Sequence, residues 1–341
     1  MKRIYPLLFV VFFMPEMKSH AQAARVPKNV AIYIFNDVQI IDYTGPYEVF
    51  TNASSDNFSQ FNVYTVSETT DKIITIGGMS VIPKYDFSNH PRPDIIVIPG
   101  GWGVYKERKS PTVINWIRKQ ANDASVVLSV CNGAGFLATA GLLDSLSVTS
   151  TAGAIDGLKK QVPGMKAVYD KRFVDNGKIV TSAGLTAGID AALHVVKKVL
   201  GEGWAQKVAI DMEYNWQPES KYARALFADR YIPPVWWLLP GVQSDPLVYR
   251  GDQATWTIIN LLSTARDSKS VLDSIVARLT NDKRSESWTR SVTRKNDEKK
   301  NTTWWTSRHS DGSNWEGFIG IEQKPGDLDK LIMTSIVKLI K

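Results

Sequence analysis

Short apolar runs alternate with helix-like segments along the first two thirds of this 341-residue chain. The runs at 29–35, 94–99 and 125–130 (NVAIYIF, DIIVIP and SVVLSV) suit strands that are covered on both faces. A helical pattern of apolar residues follows them and is clearest at 187–200. Because parallel strands need crossover helices, the alternation predicts an α/β fold whose mostly parallel sheet carries helices on both faces.

Weaker patterns add further elements to this sheet. We predict strands at 60–66 and 178–182 and helices at 45–51 and 202–212. The pair Gly77-Gly78 suits the tight turn of a hairpin, because glycine adopts the positive φ angles that such turns require.

The segment 219–250 differs in composition from what precedes it. It is rich in proline and tryptophan, which argues against regular elements and predicts an ordered linker or docking arm. Its apolar part, PPVWWLLPGV at 233–242, would also allow contact with a membrane surface. We therefore predict an α/β domain over 24–218 and a separate, smaller domain over 251–341.

The smaller domain is predicted to be an α+β unit with an antiparallel meander. One helix is indicated by the apolar face of Val271, Leu272, Ile275, Val276 and Leu279. A second is indicated by Leu328, Leu331, Ile332, Ile336 and Leu339. Three strands are predicted between them, around Trp288, Trp304-Trp305 and 315–321, where polar and apolar residues alternate.

The N-terminus has the layout of a secretory signal peptide. A charged MKR start precedes the apolar run Ile4–Met14 and a small-x-small exit that ends at Ala23. We expect residues 1–23 to be cleaved off and the mature chain to be periplasmic or secreted. An uncleaved anchor is the alternative, but the run is shorter than the roughly 20 residues that span a bilayer. No later segment is apolar for long enough, so we expect no membrane span after signal removal.

Charge gives little indication of a polyanionic partner. Loss of the signal, with its three Lys/Arg and one Glu, lowers the formal net charge from +7 to +5. The remaining positive charge is scattered along the chain rather than clustered. We therefore expect no nucleic-acid partner.

Cys131 is the only cysteine, so it cannot form an internal disulfide and is either inert or reactive. It ends the strand-like run at 125–130 and precedes Asn132 and a small-residue helix in SVVLSVCNGAGFLATAGLLD. This strand, tight turn and helix form the thiol counterpart of a nucleophile elbow. The N-terminus of the helix favours a thiolate, so we predict a thiol pKa below the free value of about 8.5.

Two other segments leave strands at the same edge of the predicted sheet. Gly100-Gly101 follows a strand, and its amides, together with the amide of Asn132, could stabilise negative charge on a substrate. These glycines could also merely end the strand. Asp42 lies just before the predicted helix at 45–51, where it could cap the helix or hold a proton for Cys131.

Taken together, these segments resemble the ThiJ/PfpI superfamily, relatives of class I glutamine amidotransferases, and most closely its isonitrile hydratase-like branch. The resemblance rests on IIDYTGPYEVF, DIIVIPGGWG, SVCNGAGFLATAGLLD, VTSTAGAIDGL, RFVDNGKIVTSAGLTAGIDAALHVV and VAIDMEYNWQP. It covers about residues 28–218 and implies a flavodoxin-like sheet. The C-terminal domain resembles no family in this way.

The resemblance implies a set of site residues. Cys131 corresponds to the elbow cysteine, Asp42 to its acidic partner, and Gly100 and Gly101 to the glycines that frame the pocket. A second loop near the pocket is implied at Ser182, Gly184 and Thr186. Two residues depart from the pattern: Asn132 stands where many relatives have threonine, and Thr151, a pocket candidate, stands where many have histidine.

The other histidines do not replace the missing one. His194 lies in an apolar helical segment and is interpreted as a packed structural histidine, whereas His90 and His309 lie in polar loop sequence. The spacing of Cys, His and carboxylate residues indicates no metal site, and there is no nucleotide-binding motif. We expect no cofactor.

The resemblance favours a cofactor-independent enzyme in which Cys131 attacks a small electrophilic molecule and Asp42 moves the proton. Hydration of an isonitrile by a lyase is the leading reaction, and hydrolysis of a small amide or peptide is a further one. A non-catalytic alternative is a redox-sensing or ligand-binding thiol, with the C-terminal domain binding a partner. Some relatives are DNA-binding regulators, but a signal peptide and a strand-rich C-terminus argue against that function here. The resemblance to this family also implies a homodimer.

Overall fold

The computed structural model describes residues 26–55, 58–221, 227–232, 239, 241–281, 288–291, 301–309 and 312–340. The predicted signal peptide, 1–23, and part of the predicted linker lie outside these residues. Within the described ranges, no helix is both long enough and apolar enough to cross a membrane.

The described part of the first 218 residues contains thirteen strands, seven α-helices and a short 3-10 turn. The strands are β1 (Lys28–Tyr33), β2 (Ser54–Ser55), β3 (Phe58–Ser59), β4 (Phe61–Ser67), β5 (Ile73–Ile74), β6 (Ser80–Val81), β7 (Tyr85–Asp86), β8 (Ile95–Ile98), β9 (Val126–Val130), β10 (Ser147–Val148), β11 (Lys166–Ala167), β12 (Phe173–Asp175) and β13 (Ile179–Ser182). The helices are α1 (Ile40–Asn52), α2 (Val104–Glu107), α3 (Pro111–Asp123), α4 (Ala134–Thr139), α5 (Ile155–Gln161), α6 (Thr186–Leu200) and α7 (Glu202–Asp211), and the 3-10 turn is Cys131–Gly133.

Seven of the strands form one sheet in the order β12-β13-β9-β8-β1-β4-β7. Every pair in it is parallel except β12 with β13 at the edge. The central strands β8 and β9 are buried along their whole length, as their continuous apolar sequences predict. The α/β fold with a mostly parallel, flavodoxin-like sheet is therefore confirmed.

The helices pack in two groups around this sheet. Helix α1 packs against α6 and α7, whereas α4 packs against α2, α3 and α5. The first turn of α3 shows the local signals for such a helix: Pro111 lies at its start, and the Ser110 hydroxyl accepts a hydrogen bond from the amide of Val113. The predicted hairpin is also present, because β5 and β6 pair antiparallel around Gly77 and Gly78, both with positive φ.

Helix α1 begins at Ile40, earlier than the predicted start at residue 45. The Gln39 amide donates to the carbonyl of Gly100, which ties the start of the helix to the end of β8. Asp42 therefore lies inside the first turn of α1, and the prediction that it precedes the helix is wrong. This hydrogen bond between residues distant in sequence fixes where α1 begins, and no local sequence pattern predicts that start.

The described C-terminal part of the chain forms a second sheet and contains one α-helix. Its strands are β14 (Gln243–Gly251), β15 (Thr255–Ser263), β16 (Trp288–Arg290), β17 (Thr302–Arg308), β18 (Asn314–Gln323) and β19 (Lys330–Ile340). All neighbours in the order β14-β15-β19-β18-β17-β16 are antiparallel. Helix α8 (Ser268–Asn281), which the sequence predicts, packs against β16 and β18, and a 3-10 turn at Ala228–Tyr231 packs against β15 and β19. The antiparallel meander is thus part of a larger, six-stranded sheet.

The predicted second helix is wrong, because residues 330–340 form the strand β19. The sequence KLIMTSIVKLI fits both periods: Leu331, Ile332, Ile336 and Leu339 fit a helical face, and Leu331, Met333, Ser335 and Val337 alternate as in a strand. The alternating set is the one that is buried. Pairing with β15 on one side and β18 on the other decides between the two patterns.

The segment predicted as a linker, 219–250, also contains a regular element. Residues 243–251 form β14, which pairs with β15 at the edge of the second sheet. An edge strand accommodates a proline such as Pro246, because on its unpaired side there is no neighbouring strand to which a backbone N–H would donate. The register of the pair shifts between Pro246 and Val248, which marks the irregularity.

Candidate active site

Cys131 lies on a strained turn between β9 and α4. Its φ angle of +59° is in the left-handed region, which residues other than glycine rarely adopt. A backbone held there costs about 1–3 kcal/mol. Gly133, two residues on, packs against the end of β8, and a Cβ there would lie 2.7 Å from the carbonyl oxygen of Pro99. The predicted strand, tight turn and helix are present, and they project Cys131 from the C-terminal edge of the sheet.

Asp42 lies beside this turn, and its carboxylate is fully buried. One oxygen, Oδ2, accepts a hydrogen bond from the amide of Gly100 at 3.2 Å, and Oδ1 accepts one from the amide of Leu185 at 2.9 Å. The carboxylate also accepts a hydrogen bond from the thiol of Cys131. Neither of the two amides belongs to α1 itself. Asp42 therefore joins three loops of the sheet edge instead of capping α1.

Burial changes the pKa values of both members of this pair. It raises the pKa of Asp42 to about 6, although hydrogen bonds from Leu185, Cys131 and Gly100 oppose the rise. Burial also raises the pKa of the Cys131 thiol far above its usual value, and the negative charge of Asp42 adds to that rise. The amide of Asn132 and the hydroxyl of Thr151 act in the opposite direction.

The prediction of a lowered thiol pKa is therefore wrong. It relied on the N-terminus of the following helix, but α4 has only six residues. Its contribution is outweighed by burial and by a carboxylate that the sequence places 89 positions away. Near neutral pH the pair consists of an ionised Asp42 and a protonated Cys131 that donates to it.

The strand-end glycines hold side chains of the site. The Gly100 amide donates to Asp42, and the Gly101 amide donates to Oδ1 of Asn132 at 2.8 Å. The Asn132 side chain donates in return to the carbonyl of Gly101 at 2.9 Å. These two amides are therefore already engaged, and the predicted role of Gly100 and Gly101 as donors to a substrate does not fit. The amide of Asn132 instead donates to the sulfur of Cys131.

The loop between β13 and α6 covers Cys131 from the other side. Gly184 has a φ angle of +110°, and a Cβ there would lie 2.9 Å from Sγ of Cys131. Leu185 follows with φ +50° and ψ −120°, an unfavourable conformation for a leucine, and directs its amide to Asp42. The strained backbone of this loop thus allows close contact with both Cys131 and Asp42.

The two residues that flank that loop, Ser182 at the end of β13 and Thr186 at the start of α6, form hydrogen bonds elsewhere in the fold. The Ser182 hydroxyl donates to the carbonyl of Ser129 inside the sheet at 3.3 Å. The Thr186 hydroxyl accepts a hydrogen bond from Arg172 at 3.1 Å. Arg172 also forms an ion pair with Asp190 of α6. These interactions fasten α6 and the loop to the sheet.

Thr151 stands where the family resemblance leads one to expect histidine, and its hydroxyl hydrogen-bonds to the sulfur of Cys131. The neighbouring Ser150 donates to the carbonyl of Cys131 at 2.7 Å. The described histidines lie elsewhere: His90 accepts from Trp116, His194 contacts Asp175, and His309 packs on an aromatic ring. A threonine hydroxyl therefore takes the place of an imidazole beside the sulfur.

Several groups at the site were not predicted from sequence. The Leu185 amide and the Ser150 hydroxyl carry no signal in a single sequence, because any residue has an amide and serine is common in loops. A cleft lined by Arg108 and Gln161 was also missed, although 102–108 lies directly after the Gly100-Gly101 pair. Among the described residues, no cluster of three or more His, Cys, Asp or Glu side chains could hold a metal ion.

Comparison with known proteins gives three findings. The sequence profile of the DJ-1/PfpI family matches residues 28–198. The isonitrile hydratase of Pseudomonas putida is 33% identical over 190 residues, which cover 55% of this chain and 79% of that protein. An HTH-type transcriptional regulator of Pseudomonas aeruginosa is 27% identical over 160 residues, which cover 47% of each chain.

A solved structure with a similar architecture supports the fold. The crystal structure of a ThiJ/PfpI family protein from Pseudomonas syringae superposes with a TM-score of 0.52 and 24% identity, and it covers 60% of this chain and 84% of that one. This similarity concerns the architecture of the first sheet and its helices.

Proposed function

Since the chain belongs to the DJ-1/PfpI family, and isonitrile hydratase is among its relatives, we propose that it is a cofactor-independent hydratase of small isonitriles. The observation that carries the proposal is the buried hydrogen bond from the Cys131 thiol to the Asp42 carboxylate. Such a pair supplies a nucleophile and a proton carrier in one place.

A protonated thiol suits the first step of this reaction. The terminal carbon of an isonitrile, R–NC, accepts a proton and then becomes electrophilic. Asp42 takes the thiol proton and delivers it to that carbon while sulfur bonds to the same atom. The product is a thioimidate, R–N=CH–S–Cys131, and no redox change occurs. The raised thiol pKa is compatible with this order of events, because the proton leaves the sulfur only as the new bonds form.

Water completes the reaction. It adds to the thioimidate carbon while Asp42 accepts one of its protons and passes that proton to the imine nitrogen. The C–S bond then breaks as the remaining hydroxyl proton passes through Asp42 to the sulfur, so that the carbon becomes the carbonyl of the formamide R–NH–CHO, the thiol is restored and Asp42 is again ionised. A carboxyl whose pKa is about 6 can both accept and return a proton near neutral pH.

Two neighbours assist the sulfur while it carries negative charge. The amide of Asn132 and the hydroxyl of Thr151 both donate to Sγ. These donors stabilise the departing thiolate, a role that an imidazolium would otherwise have. The threonine in place of histidine therefore does not remove the chemistry that the proposal needs.

The redox-sensing alternative has less support. A sensor cysteine is expected to have a low pKa and to be accessible, whereas the Cys131 thiol pKa is raised by burial. The similarity to a transcriptional regulator extends over less than half of that protein, and it gives no argument for DNA binding here.

The test is turnover of cyclohexyl isocyanide to N-cyclohexylformamide, followed by mass spectrometry. We expect Cys131→Ala to lose turnover completely and Asp42→Asn to lose about 10²–10⁴-fold. Asp211→Asn is the matched control, because Asp211 is a carboxylate on the exposed side of α7, paired with Lys207. Equal turnover by the wild type and Cys131→Ala would refute the proposal.

We further propose that residues 1–23 direct export of the chain, as the charged start, apolar run and Ala23 exit indicate. The mature N-terminus is then Ala24. Mass analysis of the N-terminal peptide from a periplasmic fraction tests this, and an intact Met1 in cytoplasmic protein would contradict it.

A further inference from the structure

A cleft beside the cysteine turn is lined on three sides by helices α2, α4 and α5. It has a volume of about 130 Å³ and includes Arg108, Gly135, Gly157 and Gln161 in its lining. An engineered cavity of about 150 Å³ in another protein holds benzene, so this cleft has room for a small organic group. We call it the Arg108 cleft.

The Arg108 cleft carries a cation without a carboxylate partner. Arg108 is half-buried, its Nη1 donates to the neutral Oε1 of Gln161 at 3.3 Å, and its guanidinium lies 5.4 Å from the centre of the Tyr105 ring. No described carboxylate forms an ion pair with it, and the adjacent Glu107 pairs with Lys106 instead. A guanidinium in this setting can bind a carboxylate through two parallel hydrogen bonds.

Glycines keep the Arg108 cleft open. A Cβ on Gly135 would lie 3.5 Å from Nη1 of Arg108, which is an ordinary van der Waals distance, so the guanidinium lies directly against α4. Gly153 and Gly157 have no atom within 4 Å of the position of a Cβ, so larger side chains there would enter free space. The remaining walls include the buried apolar residues Val104 and Leu158.

The Arg108 cleft adjoins the site. Asn132 lines it and directly follows Cys131 in the chain. Gly153 also lines it and comes two residues after Thr151, whose hydroxyl hydrogen-bonds to the sulfur. A substrate attached at Cys131 therefore has this cleft as a neighbouring space.

We propose that the Arg108 cleft binds a carboxylate on the substrate, so that the preferred substrates are small isonitriles that carry an acid group. This inference rests on the proposed function for the reaction, but the cleft and its cation can be tested by binding alone. Apolar walls take the chain of the substrate, and Arg108 pairs with its carboxylate.

The probes are straight-chain ω-isocyanocarboxylates of increasing length and their methyl esters. Binding is measured by calorimetry with Cys131→Ala protein, which prevents turnover. We expect at least one acid to bind about tenfold more tightly than its ester. Adding Arg108→Gln should remove that difference in affinity. Arg108→Lys should keep part of it, because lysine supplies a positive charge but lacks the planar guanidinium that forms two parallel hydrogen bonds.

A second pair of variants tests the space itself. Gly157→Leu fills the cleft and should weaken binding of both acid and ester, whereas Gly203→Leu, in α7 and also without neighbours within 4 Å, should not. Thermal melting of each variant confirms that it is folded.

Two results would overturn the inference: equal affinity for every acid and its ester, or a preference for the acid that persists in Arg108→Gln. Failure of the proposed function is a different result. In that case the wild type converts none of the probes, while the Arg108-dependent preference for acids remains.

Discussion

The two sheets of this protein differ in how far their buried polar groups are hydrogen-bonded. At the edge of the parallel sheet, the buried Asp42 carboxylate accepts hydrogen bonds from two amides and from Cys131. On the buried face of the antiparallel sheet, the polar atoms that have no hydrogen-bond partner among the described residues belong to Trp256, Thr303, Trp305, Ser307 and Ser335. In the described part of the first 218 residues, the same holds only for Ser129 and Trp216.

The difference follows from where the polar groups lie. At the ends of parallel strands, loops offer amides that no ladder uses, and a buried side chain can recruit them. Within antiparallel strands, the backbone groups already pair with one another, so an inward hydroxyl finds few partners. The comparison indicates that the buried polar groups at the edge of the first sheet serve a function. Those of the second sheet contribute little to stability or even lower it.

Among the changes that test this comparison, the largest effect is expected from Gly184→Ala. A methyl group there would lie 2.9 Å from Sγ of Cys131, and the φ angle of +110° disfavours alanine. Displacement of the sulfur should lower kcat/KM by at least about 10²-fold. Steady-state assays measure the loss.

Gly177→Ala is the control for that change. Gly177 also has a positive φ, +87°, but no atom lies within 4 Å of a Cβ there. This variant should lose about 1 kcal/mol of stability from backbone strain and keep its activity. Similar activity losses in both variants would mean that strain alone, and not contact with Cys131, matters at Gly184.

An effect of intermediate size is expected from pH, through Asp42. Its pKa rises from 3.8 to about 6 on folding, so the native state binds a proton more readily than the unfolded chain. As pH falls from 7 to 4.5, this group should therefore raise the free energy of unfolding, by about 2 kcal/mol. Urea unfolding of wild type and Asp42→Asn at both pH values isolates the contribution, because the other carboxylates are common to both proteins.

Activity should change in the opposite direction over the same range. Turnover requires the ionised Asp42, so kcat/KM should fall as pH decreases through about 6. Alkylation of Cys131 by iodoacetamide should have a midpoint above that of a free thiol, about 8.5. A midpoint below that value would contradict the pairing of an ionised Asp42 with a protonated thiol.

The smallest effect is expected from a matched pair of serines. Ser182 and Ser335 are both buried in strands, but the Ser182 hydroxyl donates to the carbonyl of Ser129, whereas the Ser335 hydroxyl has no hydrogen-bond partner in the described part of the chain. Ser182→Ala should cost about 1 kcal/mol, whereas Ser335→Ala should leave stability unchanged or raise it by up to about 1 kcal/mol. Chemical unfolding distinguishes them, and a larger loss in Ser335→Ala would remove the contrast between the sheets.

The sequence alone predicts the α/β fold, because continuous apolar strands and crossover helices allow few other arrangements. It also predicts the turn at Cys131, since Asn132-Gly133 and small residues are needed for a tight exit from a buried strand. Asp42 and Gly100-Gly101 can be placed near that turn, because the ends of parallel strands share one edge. These inferences depend on local pattern and on the geometry of parallel sheets.

Tertiary structure decides the remaining features. It makes residues 330–340 a strand because β15 and β18 flank them, although the sequence fits a helix equally well. It reverses the direction of the Cys131 pKa, because burial and the charge of Asp42 exceed the influence of a short helix. It also engages the Gly100 and Gly101 amides with Asp42 and Asn132. The physical reason is common to all three: burial, charge and backbone partners come from residues that are distant in sequence, and only folding brings them together.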